Sequence, residues 1–90
     1  MKRVVVTGIG AITPLGNSVK DFWKNALAGK SGASRITKFD PSNFKTQFAC
    51  EIKDFTPEKY LERNEIRRSD PFIQYALYAA TEAVYDSGLD

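Results

Sequence analysis

The sequence predicts an α/β fold in which this chain forms one part of a larger sheet structure. Three consecutive valines at 4–6 lie in a β-branched run with no alternation of polar and apolar residues. Such a run is typical of a strand in a parallel sheet, covered by helices on both faces. An amphipathic helix and a long alanine-rich helix follow along the chain, and both are suited to packing against a sheet.

The composition is ordinary for a globular protein, with 42% apolar and 27% charged residues. Ninety residues allow one small domain, which would bury only roughly 60–65% of its unfolded surface and be marginally stable. A net charge of +2 is too small to predict nucleic-acid binding. No apolar run is long enough for a membrane span or a signal peptide. One Cys and no export signal predict the reducing cytoplasm.

The first helix is predicted to start after Ser18, a suitable N-cap, and to end at Gly29. Its apolar residues follow the spacing of a single helical stripe. They are Val19, Phe22, Trp23, Ala26 and Leu27.

The middle of the chain is predicted to contain a loop, one strand and two short helices. Residues 30–45 are polar and rich in breakers, which indicates a loop. Residues 46–52 alternate, with Phe48, Cys50 and Ile52 on the predicted apolar face of a half-buried strand. Short helices are expected over 56–61 and 63–68.

The last helix is predicted to begin at Pro71, with Asp70 as its N-cap, and to end at Gly88. Small residues are spread widely around it, which predicts a deeply buried helix. Its aromatic residues, Phe72, Tyr75, Tyr78 and Tyr85, could suggest a ligand wall, but packing is the favoured interpretation.

Gly8 and Gly10 after the valines resemble part of a dinucleotide-binding fingerprint. That fingerprint needs a small residue three positions later, where this chain has Thr13. A tight structural turn is therefore favoured over cofactor binding, and neither a cofactor nor a metal site is predicted.

Cys50 is the single thiol, and the chain contains no His. An activated Cys nucleophile needs a positive environment or a nearby His. Since Cys50 is expected to share a strand face with Phe48 and Ile52, a buried structural thiol is predicted. No catalytic residue is assigned to the chain.

Arg63, Arg67 and Arg68 form a basic cluster, in which Arg63 and Arg67 lie one helical turn apart. The alternative to a binding role is a solvated surface on which these arginines pair with Glu62, Glu65 and Asp70.

Taken together, the motifs resemble the opening of β-ketoacyl-acyl carrier protein synthases of type II. The matching segments are residues 3–10, Thr13-Pro14-Leu15-Gly16-Asn17, Trp23 with residues 27–32, Phe39-Asp40, Lys53-Asp54-Phe55, residues 70–76 and Asp86-Ser87-Gly88-Leu89. Their order and spacing hold across all ninety residues. Phe72-Ile73-Gln74-Tyr75 is closer to the type II synthase than to type I.

The resemblance implies a thiolase-like αβαβα sandwich, usually a homodimer, of which residues 1–90 would be an incomplete opening part of the first half. It implies decarboxylating Claisen condensation, in which an acyl-Cys thioester is attacked by the carbanion left when malonyl-carrier protein loses carbon dioxide. The nucleophilic Cys and two His of the family lie later in the chain and do not match Cys50. This segment alone is predicted to be inactive.

The resemblance also implies that Arg67 and Arg68 help to receive the acidic acyl carrier protein. A neighbouring basic position of the family is Asn64 here, and Arg63 is expected to compensate. Two alternatives stay open: a catalytically silent chain-length-factor relative, and a stand-alone binding module. Against the module, the valine strand has no evident parallel partner, so residues 1–90 alone are expected to aggregate or pack poorly.

Overall fold

The computed structural model describes residues 2–89 of the chain. Within them lie helices α1 (Val19–Leu27), α2 (Arg63–Arg68) and α3 (Pro71–Ser87), and a 3₁₀ turn (Pro57–Lys59). Two short strands, β1 (Ser34–Arg35) and β2 (Phe48–Ala49), form an antiparallel pair.

The predicted ends of α1 are confirmed. The Ser18 hydroxyl oxygen accepts a hydrogen bond from the Asp21 N–H at 3.1 Å, which satisfies one of the free N–H groups of the first turn. The chain leaves the helix through Gly29, at φ +71°. Phe22 lies half-buried, whereas Trp23 remains exposed, so only part of the predicted apolar stripe is covered.

The β1–β2 pair corrects the sequence prediction in two ways. Residues 34–35, predicted as loop, form a strand with Ser34 opposite Ala49. Phe48 and Cys50 of the predicted apolar face are exposed, whereas Ala49 on the opposite face is half-buried. Alternation fixes which residues share a face, but the covered face depends on the neighbouring layer.

The N-terminal segment lies directly against α3. A Cβ atom added to Gly8 or Gly10 would overlap main-chain atoms of Ala83 or Ala79 in that helix. Residues 8–12 form no turn and neither glycine has a positive φ, so the predicted tight turn is wrong. These glycines are needed because any side chain would separate the segment from the helix.

The three valines do not form the predicted covered strand. Val4, Val5 and Val6 are 95%, 68% and 80% exposed, and among the described residues no strand pairs with them. A strand buried on two faces needs partners and a second layer, and residues 2–89 supply neither.

Helix α3 has the predicted ends but not the predicted deep burial. Asp70 is its N-cap, and Gly88 ends it at φ +77°. Within α3 only Tyr78 is fully buried, and Phe72, Val84 and several other apolar side chains remain exposed.

The small core is largely aromatic. Tyr78 and Leu61, exposed by 4% and 6%, lie at its centre. The Tyr78 ring packs edge to face against Phe55 and Tyr60, with centroids 5.2 and 4.8 Å apart, a favourable aromatic geometry.

The described residues form an open shape of 55 × 36 × 24 Å. Their radius of gyration is 15.9 Å, whereas a compact domain of this length would have one of about 12 Å. The chain therefore leaves much apolar surface uncovered.

Candidate docking surface

Helix α2 carries all three arginines that the sequence singled out. Arg63 lies in its first turn, Arg67 and Arg68 lie in its last turn, and all three side chains are exposed. Basic residues are favoured in the last turn because the free carbonyl groups there carry partial negative charge. The predicted helix over 63–68 is confirmed with the same bounds.

A capping box fixes the start of α2. The backbone N–H of Glu62 donates to the Glu65 carboxylate at 3.1 Å, and the Glu62 side chain accepts from the third residue of the helix. Each carboxylate thereby satisfies a backbone donor. Both acidic side chains are engaged with the backbone, not with the neighbouring arginines.

The end of α2 is held by a residue that sequence reasoning missed. The side-chain amide of Gln74, in the first part of α3, donates to the carbonyl oxygens of Ile66 and Ser69 at 3.0 and 2.9 Å. Carbonyls at a helix C-terminus have no partner within the helix. The sequence signal that could have pointed to Gln74 was its polar side chain among the apolar residues at the start of α3.

The ion pairs of the alternative, solvated-surface interpretation do not form among residues 2–89. The ion pair found in that part of the chain joins a guanidinium nitrogen of Arg35 to a carboxylate oxygen of Asp40, 3.9 Å apart. No described carboxylate reaches Arg63, Arg67 or Arg68. These guanidinium groups are therefore accessible to a partner with negative charge.

Cys50 is exposed, so the prediction of a buried structural thiol is wrong. It lies just after β2 and lines a shallow cavity of about 390 Å³ with Ile36, Phe39 and Tyr75. The chain has no His to act as its base. The arrangement lacks the activating group that thiol catalysis requires.

The aromatic residues of α3 are packing residues for the most part, as predicted. Tyr75 and Tyr78 stack edge to face on Phe55, and Tyr85 lies beside Tyr60. Phe72, in contrast, is exposed. No ligand wall is formed by this set.

Three pKa shifts have local structural causes. Burial raises the pKa of the Tyr78 hydroxyl, because desolvation disfavours the phenolate. The Thr37 hydroxyl lowers the pKa of Glu51 by donating to its carboxylate, and the Ser42 hydroxyl does the same for Asp40. None of these groups lies in α2.

Metal-binding and membrane-spanning features were sought in residues 2–89. No group of three His, Cys, Asp or Glu side chains comes together there to hold a metal ion. None of the helices described has the length and apolarity to cross a membrane.

The family model for "Beta-ketoacyl synthase, N-terminal domain" matches residues 1–90. The chain belongs to this family.

The chain is also similar to individual proteins with known names. The chain is 51% identical over 89 residues to a Coxiella burnetii 3-oxoacyl-[acyl-carrier-protein] synthase 2, covering 99% of this chain and 22% of that protein. It is 48% identical over 89 residues to the Staphylococcus aureus protein of the same name, with the same coverage. The chain thus spans about a fifth of the length of these relatives.

A solved structure of the family supports the fold. The chain superposes on "The ishigamide ketosynthase/chain length factor" with a TM-score of 0.90 and 39% identity, covering 99% of this chain and 22% of that one. At that level of agreement, the open shape is the shape that this segment has within a larger family member. The resemblance to type II β-ketoacyl-acyl carrier protein synthases is confirmed by the names of the relatives.

Proposed function

We propose that the complete protein elongates fatty-acyl chains by decarboxylating Claisen condensation of an acyl thioester with malonyl-acyl carrier protein. The observation that carries this proposal is the similarity of nearly the whole chain, at 51% and 48% identity, to part of two 3-oxoacyl-[acyl-carrier-protein] synthase 2 proteins. In the reaction, malonyl-carrier protein loses carbon dioxide, its carbanion forms the new carbon–carbon bond, and the enzyme thiolate leaves.

The segment itself would not perform this chemistry. It contains no His, and its one thiol, Cys50, is exposed just after β2 without a His to act as its base. The reactive Cys and His residues of the family would be supplied from outside residues 1–90. We expect the purified segment to release no carbon dioxide from malonyl-carrier protein, and measurable turnover by it would reject this assignment.

The architecture we propose is the thiolase-like layered sandwich, with a homodimer in the complete enzyme and a cytoplasmic location. The exposed valines at 4–6 and the uncovered side chains of α3 support it, because both are suited to burial under further layers. The open shape also argues against a self-sufficient binding module. Residues 1–90 alone should aggregate or lack a sharp unfolding transition, and a cooperative monomer would favour the module.

Within the complete protein, Arg67 and Arg68 would dock the acyl carrier protein, with Arg63 adding a third charge. Carrier proteins of this kind are acidic, and the three guanidinium groups meet no carboxylate among residues 2–89. The exposed Asn64 beside them carries no charge. Charges at the rim of an interface mainly raise the association rate and make it dependent on salt.

The test of the docking surface is the double variant Arg67→Glu with Arg68→Glu. The KM for carrier-linked substrate should rise at low salt, relative to the KM for the same acyl group on coenzyme A. Lys24→Glu with Lys30→Glu changes the net charge equally on exposed residues elsewhere. An unchanged KM in the arginine variant, or equal effects in both variants, would reject the docking role.

A second candidate function is a catalytically silent chain-length-factor relative that pairs with an active synthase. The similarity to "The ishigamide ketosynthase/chain length factor" supports this second candidate. The two functions differ in one measurement: the complete protein should form an acyl-Cys adduct when given acyl-carrier protein if it is a synthase. Absence of that adduct in correctly folded protein would favour the silent relative.

A further inference from the structure

We propose that Gln74 is a positioning residue for carrier-protein docking, an inference that rests on the docking role of Arg67 and Arg68. Its side-chain amide donates to the carbonyl oxygens of Ile66 and Ser69. These are the residues immediately before and after the arginine pair. The two hydrogen bonds therefore hold the backbone on both sides of the docking residues.

The burial of the residues concerned supports this role. Ile66, Ser69 and Gln74 are half-buried, whereas Arg67 and Arg68 are exposed. The backbone is anchored to a side chain of α3, and the arginines are exposed. Gln74 can therefore act on the docking residues through the backbone that carries them.

Helix α2 depends on such an anchor because it is short. It has six residues, and helices well under about 12 residues are marginal in water without tertiary contacts. Its last carbonyls also lack partners in the helix. Without the amide of Gln74, the final turn would fray, and the guanidinium groups would sample many positions.

Loss of the two hydrogen bonds should therefore weaken docking without changing the reaction chemistry. In the complete protein, Gln74→Met removes both donors and keeps a side chain of similar length. We expect the KM for carrier-linked substrate to rise about threefold to tenfold, the range that a net hydrogen bond typically contributes. The kcat and the KM for the coenzyme A thioester should stay unchanged.

A matched control is present in the chain. The Gln47 amide also donates to two carbonyl oxygens, those of Ser42 and Phe44, at 3.4 and 3.2 Å. Gln47→Met removes these two bonds near β2, together with the one that the Gln47 side-chain oxygen accepts from Arg35, and should leave the KM for carrier-linked substrate unchanged. Should Gln74→Met fail to fold, Gln74→Leu removes the amide donor without adding a charge near the arginines.

Combining the variants separates this inference from the function on which it rests. If Gln74 acts through the arginines, Gln74→Met should add no further rise in the Arg67→Glu, Arg68→Glu background. The positioning role would be overturned if the effects of the two changes on KM were fully additive. It would also be overturned if Gln74→Met raised KM equally for the carrier-linked and the coenzyme A substrates. A raised KM in the arginine variant with an ordinary KM in Gln74→Met would refute only this inference. An ordinary KM in the arginine variant would refute the docking role as well.

Discussion

Glu82 of α3 accepts a hydrogen bond from the backbone N–H of Ala11 at 2.8 Å. Its second carboxylate oxygen accepts the N–H of Val19 at 3.1 Å. Val19 is the first residue of α1, where free N–H groups favour a negative partner. One side chain therefore ties the N-terminal segment, the start of α1 and the middle of α3 together.

Replacing this carboxylate should loosen all three elements. We expect Glu82→Ala to lower the free energy of unfolding of the complete protein by about 2 kcal/mol or more, because hydrogen bonds to a charged group are each worth about 1.5–3 kcal/mol. Denaturant unfolding measures the loss, and hydrogen exchange should quicken at the amides of Ala11 and Val19. Exposed Glu58, which makes no side-chain hydrogen bond among residues 2–89, provides the control Glu58→Ala. Similar losses in the two variants would contradict this prediction.

The glycine next to Ala11 should tolerate no side chain. A Cβ at Gly10 would overlap the carbonyl oxygen of Ala79, so Gly10→Ala should cost about 3 kcal/mol, at the upper end for overpacking. Because the overlapping atom belongs to the main chain, adding Ala79→Gly should not restore stability. Denaturant unfolding of the single and double variants tests both statements.

Gly29→Ala serves as the comparison for Gly10→Ala. A Cβ at Gly29 meets open space, but the residue has φ +71°, so its cost of about 1–2 kcal/mol would be purely conformational. Hydrogen exchange at the Ala11 amide should quicken in Gly10→Ala only. The same exchange pattern in both variants would mean that the segment does not depend on close packing against α3.

The helices could be predicted from the sequence because their ends depend on neighbouring residues. Ser18 caps α1 three residues from its donor, and Gly88 ends α3 with a left-handed backbone. The contacts of Glu82 with Ala11 could not be predicted, since they join residues 71 positions apart. Local chemistry determines where helices start and stop, whereas the path of the N-terminal segment depends on packing.

The candidate site was predictable in part for the same reason. The spacing of Arg63 and Arg67 on one helix followed from helical geometry. The absence of ion pairs to them among residues 2–89 could not be predicted in this way, because it depends on the use of Glu62 and Glu65 by the capping box. Gln74 was missed because its acceptors lie in another helix. The exposed face of β2 was predicted wrongly because alternation does not say which face a further layer covers.

High pH should destabilise the fold through Tyr78. Burial raises the pKa of its hydroxyl above the ordinary value of 10.0 and outweighs the opposing effect of the Lys59 charge. The folded state then retains a proton that the unfolded state releases. This contribution to stability is complete below about pH 10 and is lost as pH rises through the folded pKa.

Tyr78→Phe should remove that alkaline loss. The measurement is the free energy of unfolding of the complete protein from about pH 7 to pH 11, compared between the native protein and Tyr78→Phe. The difference between the two proteins should grow above pH 10. Parallel curves for the two would contradict the assignment.

Salt should weaken carrier docking if the arginines of α2 act through their charge. Charges more than about 8–10 Å apart are largely screened at physiological ionic strength, so the KM for carrier-linked substrate should rise with added salt. Arg67→Gln with Arg68→Gln should flatten this dependence, because two of the charges proposed to attract the carrier are gone. Lys24→Gln with Lys30→Gln removes the same charge from exposed positions elsewhere and should keep the native slope. A slope that is equally steep in both variants would mean that the guanidinium groups do not steer the carrier protein.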